Sequence, residues 1–151
     1  MTSITNSIQK VHPGLRARYD HRTVLRVLVV DDDVDSAEMM AMLLRLMGHE
    51  TFVANTGEDA VASTAEQQPH VLLLDISLPD INGYEVARRI RETAWGKNIL
   101  LVAVSGWGLE NDKQQARNAG FDHHLTKPVK PGAIEQLLAD GDSSRGNLPA
   151  D

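Results

Sequence analysis

The tetrapeptide Val71-Leu72-Leu73-Leu74 is apolar at every position and is closed by a carboxylate, Asp75. A strand with no polar alternation must be covered on both faces, and helices packed on each side of a parallel sheet supply that cover. Asp75 is therefore expected at the carboxyl end of a buried strand.

The rest of the chain repeats the alternation. Residues 25–30 read as a strand rich in β-branched side chains; apolar residues then recur at helical spacing from Val34 through Met39, Met42, Leu43, Leu46 and Met47 until Gly48 stops the helix. Further strands are expected at 50–54, 70–75, 98–104 and 123–126, and helices at 58–67, 84–92, 110–119 and 131–139. Five strands alternating with five helices specify an α/β fold, a doubly wound five-stranded parallel sheet with right-handed crossovers. The methionines at 39, 40, 42 and 47 read as helix surface and core.

A chain of 151 residues holds one domain with a real core, placed at 25–140. The flanks read as flexible: a basic tail over 1–24 and a Gly-, Ser- and Asp-rich tail over 141–151. Eleven residues after the last helix cannot hold an output module, so a stand-alone unit acting through a partner is expected. The formal charge of -6 is uneven, with five basic residues against Asp20 alone in residues 1–26 and -10 on the remainder. An acidic body argues against nucleic acid as a partner. No cysteine is present, which excludes disulfides and thiolate metal sites. Apolar stretches such as 99–104 are too short to span a membrane and residues 1–24 lack the apolar block of a signal peptide, so a cytoplasmic location is expected.

In open parallel sheets ligands bind at the carboxyl ends of the strands. Those ends here carry Asp31-Asp32-Asp33, Asp75, Ser105 and Lys127-Pro128. Such a set suits a phosphoryl group. Clustered carboxylates raise one another's proton affinity, so they need a hard divalent cation or an ammonium beside them. Mg²⁺ answers with oxygen ligands while keeping waters that a phosphate can displace. One carboxylate can attack phosphorus in line to give an acyl phosphate, with Lys127 as the cation and Ser105 as the hydroxyl donor.

Over residues 25–140 the chain resembles the receiver domains of two-component response regulators. The resemblance rests on Val29-Val30-Asp31-Asp32, on Asp75 forty-three residues after Asp32, on Leu78-Pro79 and Gly83, on Ser105 thirty residues after Asp75, and on Lys127-Pro128 twenty-two further on. It implies a flavodoxin-like (βα)5 sheet of strand order 2-1-3-4-5. It also implies that Asp75 takes a phosphoryl group from a phosphohistidine on a sensor histidine kinase or a histidine phosphotransfer protein. Asp32, Asp75 and the Ser77 carbonyl would coordinate Mg²⁺, with Asp31 acting through water. Lys127, Ser105 and backbone donors near Gly106 would hold the phosphoryl oxygens, and the Lys127–Pro128 peptide would be cis. Downstream targets would meet the face formed by the fourth helix, fifth strand and fifth helix of a monomer or weak homodimer. The chain would catalyse only its own phosphorylation and dephosphorylation.

Three positions bear on behaviour within that family. Many members carry a phenol or phenyl ring where this chain has His124; in the common scheme the ring follows the hydroxyl inward when the phosphoryl group arrives. His124 is titratable, and it reads either as a pH-sensitive version of that switch or as a half-exposed strand histidine. Ser77 and Trp107 occupy the positions that flank the phosphoryl group and tune its hydrolysis, although plain loop packing also accounts for Trp107. The run Gly120-Phe121-Asp122-His123-His124-Leu125 resembles receivers of hybrid kinases, which hints at a phosphorelay. His123 and His124 alternate across a strand and cannot chelate one ion together.

Other classes fit less well. A haloacid dehalogenase-like Mg²⁺-dependent phosphatase uses similar groups, but its nucleophile ends the first strand and an acidic pair follows the lysine, which this chain lacks. A calcium loop over Asp31, Asp33 and Asp35 would place its turn glycine at Ser36 and its bidentate glutamate at Met42. Three acids on the first loop repel a flavin phosphate. A phosphorylation-independent receiver-like binding module would not need all five chemical positions, and all five are filled.

Overall fold

The first four strands form where β-branched and apolar residues run together, and the first three helices each start at a side chain that caps them. The computed structural model describes residues 24–106 and 110–143. The expected basic tail over 1–24, apart from its last residue, lies outside the described residues, as do Trp107 and positions 144–151 of the expected second tail. The elements in order are β1 (Arg26–Val30), α1 (Val34–Leu46), β2 (Glu50–Ala54), α2 (Gly57–Gln67), β3 (Val71–Asp75), α3 (Gly83–Arg91), β4 (Leu100–Ser105), α4 (Glu110–Ala119), β5 (His123–Thr126) and α5 (Pro131–Ser143). All four strand pairings are parallel, in the order β2-β1-β3-β4-β5. That is the expected doubly wound sheet.

Strand alternation sends side chains to two cores. Val27, Val29, Leu73 and Val102 join Leu44 of α1 and Ile134 of α5 on one face. Leu28, Val30, Leu72, Leu74 and Leu101 join Ala60 of α2, Val86 and Ile90 of α3 and Ala116 of α4 on the other. Full burial of each such Leu or Ile contributes about 1.5–3 kcal/mol, so the central strand, apolar on both faces, fixes the layering. Met40 and Met47 pack against the first core while Met39 and Met42 are exposed, as expected of one amphipathic helix.

Caps set the helix ends. The Asp33 carboxylate accepts the amides of Asp35 and Ser36, Thr56 accepts that of Asp59, and Asn82 that of Glu85. At the end of α1, Gly48 sits at φ +97°, and the amides of Gly48 and His49 return to the carbonyls of Arg45 and Leu44. A left-handed glycine closing two such bonds stops the helix where the sequence indicates.

Two boundaries differ from expectation by more than a single residue. β4 starts at Leu100 and not at 98, because the Arg91 guanidinium takes the carbonyls of Gly96, Lys97 and Ile99 and holds that stretch as a turn. The last helix runs beyond 139 to Ser143. No helix among the described residues is long and apolar enough to cross a membrane.

Candidate functional site

The carboxyl ends of β1, β3 and β4 and the loop after β5 meet at one edge of the sheet. Asp31 follows β1, Asp75 is the last residue of β3, Ser105 the last of β4, and Lys127 follows β5. Asp31, Asp75 and Ser105 are buried, whereas Asp32 and Ser77 are exposed. Lys127 Nζ donates to Asp75 Oδ2 at 2.8 Å and lies 3.5 Å from Asp31 Oδ2. Residues 96 and 52 positions apart in the chain thus converge on one ammonium.

Asp31, Asp32 and Asp75 each offer an oxygen, and these oxygens lie within 4.8 Å of one another. At that separation two unit charges repel by about 3.5 kcal/mol at an effective dielectric near 20. Lys127 offsets one of the three charges. The Asp31 carboxyl is pushed up by burial and by the charge of Asp75, against the Asp33 amide and the Lys127 ammonium that hold it down. Burial pulls the Lys127 ammonium down, but its hydrogen bond to Asp75 and the charges of Asp75 and Asp31 more than offset this and hold it above the usual lysine value. Three hard oxygen donors with two uncompensated charges fit a hard divalent cation. Among the described residues this is the one cluster of three or more acidic or histidine side chains with metal-binding spacing.

The loop after Asp75 is held at both ends. Asp75 Oδ1 accepts the Ser77 amide at 2.9 Å, and Asp80 accepts the amides of Gly57 and Glu58 at the start of α2. Those two backbone bonds depress the Asp80 carboxyl to about 2. Gly83 carries the first turn of α3 against the loop, because a Cβ there would lie 2.7 Å from Ile76 Cα and 3.0 Å from the Asp75 carbonyl oxygen. The Lys127–Pro128 peptide is cis.

Of the residues singled out from sequence, Asp31, Asp32, Asp75 and Lys127 come together directly. Ser105 stands at the same edge with its hydroxyl 3.0 Å from His124 Nε2. Trp107 lies outside the described residues. His123 pairs with Val102 and His124 with Ala103, so the two rings project to opposite faces of the sheet. Asp33 serves as a helix cap. Sequence reasoning missed the Asp80 tether, for which Pro79-Asp80 gave only a turn signal, and the packing reason for Gly83.

The profile of the response regulator receiver domain matches residues 27–139. The chain belongs to the response regulator receiver family. It is 33% identical over 112 residues to the phosphate regulon transcriptional regulatory protein PhoB of Pseudomonas aeruginosa, covering 74% of this chain and 49% of that protein. It is 34% identical over 157 residues to the virulence sensor protein BvgS of Bordetella parapertussis, covering 99% of this chain and 13% of that protein. The chain thus spans about half of the first relative and a small part of the second. Among solved structures, the receiver domain of the sensor histidine kinase PA1611 from Pseudomonas aeruginosa superposes with a TM-score of 0.74 at 26% identity, covering 81% of this chain and all of that one. That structure holds a magnesium ion coordinated in its active-site cleft. Membership of the receiver family removes the dehalogenase-like alternative, in agreement with an acidic cluster that gathers on the central strand β3 as well as after β1.

Proposed function

We propose that Asp75 accepts a phosphoryl group from a phosphohistidine of a sensor histidine kinase or histidine phosphotransfer protein, and that the acyl phosphate switches the binding of a downstream protein. The observation that carries this reading is Lys127 Nζ at 2.8 Å from Asp75 within a cluster of three carboxylates. An Asp75 oxygen forms the new bond to phosphorus as the bond to the donor imidazole nitrogen breaks, the nitrogen keeping the electron pair and taking up a proton. Asp32, Asp75 and the Ser77 carbonyl would hold Mg²⁺, with Asp31 through water. The ion when bound supplies positive charge against the phosphoryl oxygens and orients them. Lys127 leaves its bond to bare Asp75 for a phosphoryl oxygen, and Ser105 donates its hydroxyl to another. Ser77 and, by its place in the family pattern, Trp107 would set how fast water removes the phosphoryl group, and the one chemistry the chain would catalyse is its own phosphorylation and dephosphorylation.

The domain occupies 25–140 and works in the cytoplasm, where its kinases present their phosphohistidines. Its output face is formed by α4, β5 and α5, reached from Ser105 through His124. A phosphotransfer series with radiolabelled histidine kinases and phosphotransfer proteins tests the reading. Transfer from a cognate donor to the wild type and none to Asp75→Asn is expected; equal label on both proteins would overturn it.

A further inference from the structure

Ser105 Oγ and His124 Nε2 lie 3.0 Å apart, and the contact is set by the sheet and not by a loop. Ala103 pairs with His124 and Ser105 with Thr126 in the parallel β4–β5 ladder, so all four side chains share one face and Ser105 and His124 are diagonal neighbours. A serine hydroxyl carries one proton and two acceptor positions. When the imidazole is neutral with its proton on Nδ1, Nε2 accepts the serine proton, and Ser105 turns only lone pairs toward Asp75. When Nε2 carries a proton, the ring donates to Oγ and the serine proton is released for an acceptor on the other side. An anionic phosphoryl oxygen on Asp75 is such an acceptor.

We propose that His124 is a positioning residue that decides which way the Ser105 hydroxyl points, so that phosphorylation of Asp75 and protonation of the His124 ring favour each other. The proposal rests on the reading of Asp75 as the phosphoacceptor. It makes the switch sensitive to pH, because histidine is the side chain whose charge most readily changes near neutrality.

His124 lines an open cleft of about 270 Å³. Among the described residues the cleft is also lined by Lys113 and Arg117 of α4, Asp122 before β5, His123 of β5 and Leu137 of α5. Asp122 is engaged by Arg91 at 2.8 Å. β4, which Ser105 ends, lies between His124 on β5 and Asp75 on β3, and Asp75 holds Lys127, itself 3.5 Å from Asp31. A phosphoryl group on Asp75 adds nearly two negative charges across the Ser105 hydroxyl, and such charges favour the imidazolium.

The test is a titration of the His124 ring by nitrogen-15 NMR on the full chain in Mg²⁺, with and without saturating beryllofluoride as the phosphoryl mimic. The ring is expected to bind its proton about tenfold more tightly in the beryllofluoride form, a rise of about one pKa unit. By reciprocity, beryllofluoride affinity gains about the same factor as pH falls through the ring's titration, over and above any change in a His124→Phe variant. Ser105→Ala, assayed the same way, should lose most of the ring's shift, because a charge acting through space alone would leave it in place. His124→Gln, which keeps a donor without a titration, should bind the mimic with no pH dependence beyond that of His124→Phe.

An unmoved ring at saturating beryllofluoride overturns the proposal, as does a full shift in Ser105→Ala, while leaving the phosphoacceptor reading intact. Beryllofluoride binding that is equal in the wild type and Asp75→Asn would overturn that reading itself.

Discussion

At the scale of single residues the site is a charge balance in which one ammonium serves two buried carboxylates. Lys127 is 2.8 Å from Asp75 and 3.5 Å from Asp31, with about a third of its side chain exposed at 37%. Lys127→Ala is expected to lower stability at neutral pH by about 1 kcal/mol, below the usual figure for a charge-assisted bond because solvent screens a partly exposed ammonium. Urea unfolding measures it, and an unchanged midpoint would show that water replaces the lysine without cost. Asp31 gives a prediction of opposite sign. Its folded-state carboxyl titrates above the ordinary value, from burial first and the charge of Asp75 against the Asp33 amide and Lys127. The stability linked to its proton is fully present below about pH 4 and is lost as pH rises through the raised folded value. At neutral pH the charged Asp31 is therefore a liability kept for function, and Asp31→Asn should be more stable than the wild type at pH 7 in metal-free buffer, with the advantage gone in acid. A pair of thermal melts at the two pH values reads the difference, and a destabilised Asn variant at pH 7 would contradict the account.

Elements place these groups, and their legibility in the sequence follows the range of the forces involved. β3 could be read directly, because four consecutive apolar residues closed by Asp75 admit one environment. α1 could be read from its spacing and from Gly48, both local signals. The position of Asp80 on the α2 amides could not, since nothing in Pro79-Asp80 tells which backbone 23 residues earlier will meet it. The late start of β4 was hidden for the same reason: it depends on one Arg91 side chain reaching three carbonyls. The Ser105–His124 contact needed the β4–β5 register, and four residues of β5 carry too little pattern to fix a register alone. Gly83 tests the element scale. With a Cβ only 2.7 Å from Ile76 Cα, Gly83→Ala must push α3 away from the loop that holds Ser77, at a cost of about 1–3 kcal/mol. Denaturant unfolding of that variant, with amide shifts of Ile76 and Ser77 as a local readout, checks both the magnitude and the place; a neutral substitution would mean the loop yields freely.

For the whole molecule, the two cores make a rigid frame and leave the chemistry to strand ends and loops at one edge of the sheet. Carrying such a molecule from mostly off to mostly on takes about 5.5 kcal/mol of differential stabilisation. Two or three charge-assisted hydrogen bonds formed only with the phosphoryl group, from Lys127, Ser105 and backbone donors, are of that size. The energy is available only if a covalent bond forms at Asp75 in the first place. Intact-mass spectrometry after incubation with acetyl phosphate and Mg²⁺ asks that question directly. The account predicts one phosphoryl group per chain on the wild type, none on Asp75→Asn and none when the metal is chelated. Equal modification of Asp75→Asn, or an unmodified wild type that keeps its fold in Mg²⁺, would contradict it.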